Sequence, residues 1–252
     1  MIDKKLIIGE NLTFDMKIYR YMSLKEFLFF VEFNKIVLTR VSSWEDTWEA
    51  PTLKLPVQFG DEKLIFRNYS VVSNLFAQCW TTKKESDAMW RIYSPTKDGI
   101  KVGTSIKKFE LIQGVNYYAI GKIHYYDKLQ DALNFNNELN KLRPMLYDAL
   151  IKREEFSHEE EVRLITFHAP NNTLDCKQID DKENHLELNV NVNEFIEEIV
   201  IDPRAATYYV DVIKSYCEKS GIKVNPQKSD LYTDDIFNNT KLIRKYISVD
   251  TV

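Results

Sequence analysis

Three consecutive glutamates and an arginine enter an apolar, β-prone stretch together, in the sequence HEEEVRLITF at residues 158–167. Successive side chains of a strand point to opposite faces, so we expect Glu159, Glu161 and Arg163 to share one face. A carboxylate beside a developing sugar cation can stabilise an oxocarbenium-like transition state, as in glycosidases. The alternative is a solvated acidic face, because Glu and Arg two residues apart are common on exposed strands.

A second candidate is Arg20, which lies between two tyrosines in KIYRYM. Its planar guanidinium is suited to bidentate contact with phosphate or carboxylate. Tyr21, its neighbour, joins it as a candidate binding residue. The alternative is a surface arginine on an edge strand.

Acidic and aromatic residues cluster further along the chain. In SSWEDTWEAP, Asp46 and Glu49 could stand at the rim of a pocket, or could instead hydrogen-bond their own loop. Trp90 and Tyr93 are three residues apart and so are neighbours on one helix face. Both are candidate binding residues because their rings could stack on a nucleobase, although tryptophans more often pack in a core. We expect Tyr93 to reach the cleft and Trp90 to pack in the core.

Short strands and helices must position these residues. Ser23 and Glu26 have the spacing of a capping box, which predicts a helix that begins at Leu24. Strands and helices follow one another without a regular β-α-β period, which favours an α+β fold. The predicted strands are 17–21, 36–39, 76–82, 99–104, 115–126, 160–167, 185–192 and 198–202. The predicted helices follow Ser23 and Ser86, and cover 61–75, 127–155 with a break near Pro144, and 204–220.

Composition narrows the classes of function. The 252 residues carry a formal net charge of −4, so nucleic acid is not favoured as a partner. Three distant cysteines and four histidines without ligand spacing predict no disulfide framework and no metal. A membrane span or signal peptide is not expected, and a cytoplasmic location fits. We expect a single domain over 1–252, with a core of about 17–231 and a C-terminal tail of 232–252.

The motifs YRYMS, SSWEDTWE, CWTT, SDAMWRIYSPTKDGIKVG, EEEVRLI and EIVIDPRA, taken in order, resemble the bacterial family called domain of unknown function 2971. The resemblance runs from about Tyr19 to Leu231. Thr47 stands where the loop of that family usually has proline.

A second resemblance is to ADP-ribosyltransferases, which have an early strand with arginine, a central Ser/Thr strand and a late Glu-x-Glu strand. It implies a mixed, mostly antiparallel sheet flanked by helices, with NAD as substrate and a macromolecular acceptor. Arg20 would bind the pyrophosphate or ribose of NAD, and Thr82 would brace the site. Glu161 would stabilise the sugar cation, and Glu159 would orient or deprotonate the acceptor. Enzymes of this kind include toxins and phage-defence effectors.

Two further hypotheses remain open. The chain could keep the fold and bind a nucleotide or a partner protein without catalysis. A metal-dependent nuclease using Asp46, Glu49, Glu159 and Glu161 would lack the lysine that many such sites carry. For the transferase hypothesis, we expect Arg20 and Glu161 to leave the sheet on the same side, and Glu161→Gln to abolish activity while folding hardly changes.

Overall fold

A computed structural model describes residues 6–46, 48–49, 51, 55, 57–58, 65–66, 74–115, 118–139, 148–168 and 184–233. Its strands, numbered in chain order, are β1 (Leu6–Ile8), β2 (Lys17–Met22), β3 (Lys35–Arg40), β4 (Val57–Gln58), β5 (Ile65–Phe66), β6 (Leu75–Thr81), β7 (Ile100–Ser105), β8 (Tyr118–Lys122), β9 (His124–Tyr126), β10 (Ile151–Arg153), β11 (Glu161–Phe167), β12 (His185–Asn189), β13 (Glu198–Ile201) and β14 (Gln227–Lys228).

Five α-helices are described: α1 (Leu24–Phe33), α2 (Asp87–Tyr93), α3 (Leu129–Leu139), α4 (Val192–Phe195) and α5 (Thr207–Lys219). Four short 3₁₀ helices lie between them, at Val41–Ser43, Ile106–Leu111, Asp148–Leu150 and Glu154–Glu159. None of the helices in these ranges is long and apolar enough to cross a membrane.

Ten of the strands form one mixed, mostly antiparallel sheet. Its order is β1-β8-β11-β6-β2-β7-β13-β14, and β3 pairs with both β6 and β12. The pairs β1–β8 and β13–β14 are parallel, and the other pairs of this sheet are antiparallel. The predicted α+β fold with a mostly antiparallel sheet is therefore confirmed.

Helix α1 packs on one face of this sheet and helps to bury the main core. The predicted capping box forms: the Ser23 backbone N–H donates to Glu26 Oε2 at 2.8 Å, and the Glu26 N–H donates to Ser23 Oγ at 3.4 Å. Phe27 and Phe30 of α1 join Trp80 of β6 and many other apolar side chains in this core. The capping box thus fixes where the chain turns from β2 into α1.

The sheet splits along one edge of β6. β2 pairs with β6 only at Tyr19 and Thr81, and β3 pairs with β6 only at its other end, through Ala77 and Phe76. In the described strands, residues 78–80 therefore have a backbone partner only on the β11 side. Because α1 connects β2 to β3, the gap between these two strands lies beneath the helix.

Several predicted elements differ from the structure. In the helix predicted over 61–75, residues 65–66 form β5, which pairs with β4, and the strand predicted over 185–192 ends at Asn189. The strand predicted over 115–126 is two strands, β8 and β9, separated at Ile123. The helix predicted over 127–155 is wrong at its end, because residues 151–153 form β10, which pairs in parallel with β9. The sheet also begins at Leu6, well before the predicted core at residue 17. Of the predicted tail, only Tyr232 and Thr233 are described.

Candidate functional site

A buried cluster of five charged side chains surrounds the start of β11. Lys152 Nζ lies 2.6 Å from Glu159 Oε2, 2.9 Å from Glu161 Oε2 and 3.2 Å from Glu49 Oε1. Arg163 completes the group, which we call the ion cluster. The solvated alternative is wrong for this stretch, because Glu159 and Glu161 are only 6% and 3% exposed.

Arg163 is fully buried and makes contacts on several sides. Its Nε donates to Glu161 Oε1 at 2.6 Å, and its Nη2 lies 3.1 Å from Glu49 Oε1. Its Nη1 donates to the Ala149 carbonyl at 2.6 Å, and its guanidinium lies over the Trp44 ring, 4.3 Å from the centroid. A buried guanidinium needs such partners for nearly all of its N–H groups.

Glu159 reaches the cluster by a different route from the predicted one. It ends a 3₁₀ helix, and Glu160 then adopts the left-handed conformation, with φ 44° and ψ 50°. β11 begins only at Glu161, so the prediction that Glu159 lies on the strand is wrong. The left-handed turn nevertheless brings Glu159 and Glu161 to the same ammonium, while Glu160 points outward and pairs with Lys83 at 3.2 Å.

The charges of the cluster depend on one another. Burial by itself would raise the pKa of Glu161, but the neighbouring Arg163 and Lys152 outweigh it and hold that pKa well below its usual range. Burial by itself would lower the pKa of Lys152, but Glu161 and Glu159 raise it above its usual value. Three carboxylates facing two cations leave one formal negative charge in the cluster.

This pairing changes what is expected of Glu161→Gln. Glu161→Gln would leave Glu49 and Glu159 facing Lys152 and Arg163, so the formal charges would balance, but both buried cations would lose a carboxylate partner. We therefore expect Glu161→Gln to lower the free energy of unfolding, in contrast to the prediction from the sequence that folding would hardly change.

A small pocket of about 30 Å³, which we call the small pocket, lies against the cluster. Glu159 and Glu161 line it together with Tyr93, whose hydroxyl donates to Glu159 Oε1 at 3.1 Å. Burial and the nearby Glu159 raise the pKa of Tyr93. Cys79 also lines the pocket. Burial, and to a smaller extent the negative charge of Glu161, raise the pKa of its thiol. As predicted, Tyr93 faces the cleft.

Thr82, the predicted brace, lies just after β6 and contacts Glu160, whose Oε2 is 3.2 Å from its hydroxyl. It does not line the small pocket. Thr81 does, and its hydroxyl donates to the Glu159 carbonyl at 2.5 Å. Thr81 also pairs with Glu161 in the sheet register. The bracing contact thus comes from the residue one position earlier.

The remaining candidates have different positions. Trp90 is fully buried, which confirms the prediction that it packs in the core, so it offers no surface on which a base could stack. Its ring meets the edge of Tyr21, a buried residue that lines the small pocket. Asp46 accepts from the Trp48 N–H at 2.8 Å and lies 3.3 Å from Arg153, so it supports its own loop, while Glu49 belongs to the cluster.

Arg20 and Glu161 leave the sheet on opposite faces, which contradicts the expected common side. Tyr19, Thr81 and Glu161 pair in one row and share a face, so Arg20 starts on the other. Its guanidinium reaches into the split and donates from Nη1 to the Cys79 carbonyl at 2.8 Å. The guanidinium thereby takes the place of the N–H that a neighbouring strand would have supplied to this carbonyl. Arg20 is also one of the residues that line the small pocket.

The split itself contains a larger cavity of about 520 Å³, which we call the split cavity. Its walls include Met22, Phe29, Ile36 and Trp80, so they are mainly apolar. Arg20 lines both this cavity and the small pocket. A volume of this size lies within the usual range for small-molecule sites, about 300–1,000 Å³.

The sequence predictions missed the residue that joins the carboxylates, Lys152. The expectation that a nuclease-like carboxylate group would lack a lysine is wrong, because Lys152 contacts Glu49, Glu159 and Glu161. Its ammonium occupies the point on which they converge. Among the described residues, no group of His, Cys, Asp and Glu is arranged to hold a metal ion.

The family described as "Protein of unknown function (DUF2971)" matches residues 89–164, which confirms the predicted resemblance over that range. The matched stretch contains Tyr93, Lys152, Glu159 and Glu161, but not Arg20. None of the curated proteins matches the chain.

Two solved structures are similar to the chain at low identity. DarT of Thermus sp. 2.9 in complex with NAD⁺ has 9% identity and a TM-score of 0.40, and the match covers 87% of this chain and 98% of that one. The same protein in complex with ADP-ribosylated ssDNA has 8% identity and a TM-score of 0.38, with 86% and 94% covered. Similarity at this level leaves the site to be argued from the residues of this chain.

Proposed function

We propose that this chain binds NAD between the split cavity and the ion cluster, cleaves its bond between nicotinamide and ribose, and transfers ADP-ribose to a macromolecular acceptor. The observation that carries the proposal is the position of Arg20, which lines both cavities. A guanidinium at that point suits a pyrophosphate, which would link a group in one cavity to a group in the other.

The ion cluster supplies the charge that the reaction needs. As the glycosidic bond breaks, nicotinamide leaves with the bonding electron pair, and the ribose carbon becomes positively charged. The one formal negative charge of the cluster would stabilise this cation, because electrostatic stabilisation is strongest in a dry, preorganised site. Glu161 accepts hydrogen bonds from both Lys152 and Arg163, at 2.9 and 2.6 Å, which hold its carboxylate in place.

The second step transfers the ribose to the acceptor. A hydroxyl or other nucleophile of the acceptor forms a bond to the same carbon, and its proton passes to Glu159. The Tyr93 hydroxyl and Lys152 hold Glu159 in place for this role. If water replaces the acceptor, the product is free ADP-ribose.

One observation favours a second candidate function, nucleotide binding without catalysis. The small pocket, at about 30 Å³, has roughly the volume that one water occupies in the liquid, which is too small for a ribose. The cluster carboxylates are also already paired. A chain that uses only the split cavity would bind NAD and leave it intact.

The test follows nicotinamide release and label transfer after purified protein is incubated with labelled NAD and one acceptor at a time, either lysate protein or single-stranded DNA. Loss of one electrostatic contact to a transition state typically lowers the rate about 100-fold to 1,000-fold, which we expect for Glu161→Gln. Glu160→Gln is the matched control, because Glu160 points away from the cluster and should retain activity.

Because Glu161→Gln is expected to be less stable than the wild type, the rates of the two proteins are compared at a temperature at which circular dichroism shows that the variant is folded. Tyr93→Phe provides a second, more exposed variant of the same pocket. Binding of NAD by the wild-type protein without nicotinamide release would favour the non-catalytic candidate. Equal rates of nicotinamide release by Glu161→Gln and Glu160→Gln would show that the Glu161 carboxylate takes no part in the reaction.

A further inference from the structure

Outside the ion cluster, a buried carboxylate stands just after β13, in the sequence EIVIDPRA. Asp202 is fully buried, and both of its oxygens accept hydrogen bonds from Arg204. Asp202 Oδ1 accepts from the Arg204 backbone N–H and Nε at 2.7 and 3.0 Å, and Oδ2 accepts from Nη2 at 2.7 Å. Because a carboxylate and a guanidinium match in shape, these three bonds fix the plane of the Arg204 guanidinium.

The same guanidinium holds the end of α2. Arg204 Nη2 donates to the carbonyls of Trp90 and Ser94, each at 2.8 Å. The last carbonyls of a helix lack partners within it, and the helix dipole also favours a cation near them. Arg204 therefore caps the C-terminal end of α2, and its two carbonyl partners lie on either side of Tyr93 in the chain.

The position of α2 depends on such contacts because the helix has only seven residues. A helix of this length is not stable in water by itself, so its surroundings determine where it lies. Ser86 caps its start, with its hydroxyl accepting from the Met89 N–H at 3.3 Å, and Trp90 is buried at its centre. Arg204 fixes the last turn, from which Tyr93 extends.

The turn that follows α2 closes on the same group. Ser94 Oγ accepts from the Gly99 N–H at 2.8 Å, and the Gly99 carbonyl accepts from the Asp202 N–H at 3.1 Å. A Cβ at Gly99 would lie 2.5 Å from the Ser94 Cβ, so a larger residue would force the turn open. This turn and the pair of Asp202 and Arg204 together hold the end of α2 against the end of β13.

Tyr93 connects this end of α2 to the ion cluster. Its hydroxyl donates to Glu159 Oε1 at 3.1 Å, and the residue lines the small pocket. Tyr93 is 38% exposed, so packing fixes its ring only in part. The direction of the ring therefore depends on the backbone of the last turn of α2.

We infer that Arg204, held by Asp202, is a positioning residue that fixes the last turn of α2 and so places the Tyr93 hydroxyl on Glu159. Arg204 is not among the residues that line the split cavity or the small pocket, so it acts through Tyr93. The connection itself is independent of the proposed function, whereas its effect on a reaction rate rests on that function.

The first test observes Tyr93 directly by NMR, in the full chain labelled with ¹³C at the Cζ atom of tyrosine. The chain has 14 tyrosines, and the signal of Tyr93 is the one that disappears in Tyr93→Phe. The Cζ atom carries the hydroxyl, so its chemical shift responds to the hydrogen bond with Glu159. In Arg204→Gln, the Tyr93 signal should move by more than its line width, toward its position in the urea-unfolded protein.

A neighbouring cation provides the matched control. Lys228 Nζ donates to the Ala205 carbonyl at 2.8 Å, so Lys228→Gln also removes a cation from a backbone carbonyl, but from one outside α2. The Tyr93 signal should stay in place in this variant. If Arg204→Gln fails to fold, Arg204→Lys replaces it, because a single ammonium cannot span Asp202 and both carbonyls, and the Tyr93 signal should move in the same direction.

The second test is a double-variant cycle on nicotinamide release, at a temperature at which circular dichroism shows every variant folded. Tyr93→Phe and Arg204→Gln should each lower kcat about 5-fold to 10-fold, the usual value of one hydrogen bond, while KM changes less than about 2-fold. Because both changes remove the same contact, the double variant should be no slower than the slower single variant. A general loss of stability would make the two effects multiply.

An unchanged Tyr93 signal in folded Arg204→Gln or Arg204→Lys would overturn the inference, and so would an equal movement in Lys228→Gln or effects on kcat that multiply. A displaced signal in the Arg204 variants, without nicotinamide release by the wild type, would support the inference while the proposed function fails. Nicotinamide release by the wild type with an unchanged signal would support the proposed function and overturn the inference.

Discussion

The small pocket has a volume of about 30 Å³ and the split cavity about 520 Å³, although Arg20 lines both. Around the small pocket, the charged groups are buried and each carboxylate already has a cation. Around the split cavity, the ion pairs are partly exposed, as in Lys35–Glu187, whose side chains are 35% and 47% exposed. We therefore expect the ion cluster to contribute to stability as well as to the proposed chemistry, and the partly exposed ion pairs around the split cavity to contribute little to stability.

The largest expected effect follows from removing the central cation of the cluster. Lys152→Met leaves Glu49, Glu159 and Glu161 with only Arg163, so the free energy of unfolding should fall by about 3–5 kcal/mol. Urea denaturation of wild type and variant measures this change in the free energy of unfolding. A loss below about 1 kcal/mol would show that the cluster does not contribute to folding as a unit.

Acid should remove part of this stabilisation. The folded pKa of Glu161 lies below its ordinary value of 4.5. Its contribution is therefore complete above about pH 4.5 and is lost as the pH falls through the folded pKa, by at most about 1.4 kcal/mol per pH unit. The difference in unfolding free energy between wild type and Glu161→Gln should narrow from pH 6 to pH 3. A constant difference over that range would contradict the assignment.

A smaller effect is expected at the edge of the cluster. Tyr93→Phe removes one hydrogen bond to Glu159 from a side chain that is 38% exposed, which should cost about 1 kcal/mol in unfolding free energy. The other contacts of Glu159 remain. Thermal denaturation of the two proteins side by side checks this, and a loss as large as that of Lys152→Met would mean that the pocket collapses with the hydroxyl.

The smallest effect belongs to the split cavity. Lys35→Met breaks an ion pair of 2.7 Å, nearly as short as the 2.6 Å contact between Lys152 and Glu159. Because the Lys35 pair is partly exposed, the change in unfolding free energy should stay below about 1 kcal/mol. The two lysine variants compare a buried and a partly exposed ammonium at nearly the same shortest distance, with three carboxylate partners for Lys152 and one for Lys35. Equal losses would show that distance, and not burial, decides the contribution.

Local signals in the sequence predicted much of the fold. The capping box at Ser23 and Glu26, the Ser86 cap of α2 and the glycine after α5 each act within a few residues, so the sequence contains the whole interaction. The β-prone runs likewise predicted the central strands β2, β6 and β11 to within one residue at each end. These strands are the ones that position Arg20, Thr81 and Glu161.

The site was less predictable because its contacts are distant in sequence. Lys152 lies within the helix predicted over 127–155, whereas the structure has it on β10, which pairs in parallel with β9. Its partner Glu49 is on a loop about a hundred residues away. The face of Arg20 depends on the register of β2 against β6, a single pair of residues that no local pattern specifies.

The left-handed conformation of Glu160 constrains which sequences can occupy this site. The side chain itself is exposed and pairs only with Lys83 and Thr82, so its chemistry is dispensable. The backbone conformation of Glu160 is required, because its φ of 44° turns the carboxylates of Glu159 and Glu161 toward Lys152. Glycine or asparagine adopts this conformation readily, whereas a β-branched residue is strained there. Mutational tolerance at the middle of the Glu-x-Glu sequence should therefore follow backbone preference: glycine and asparagine are accepted, and valine and isoleucine are rejected.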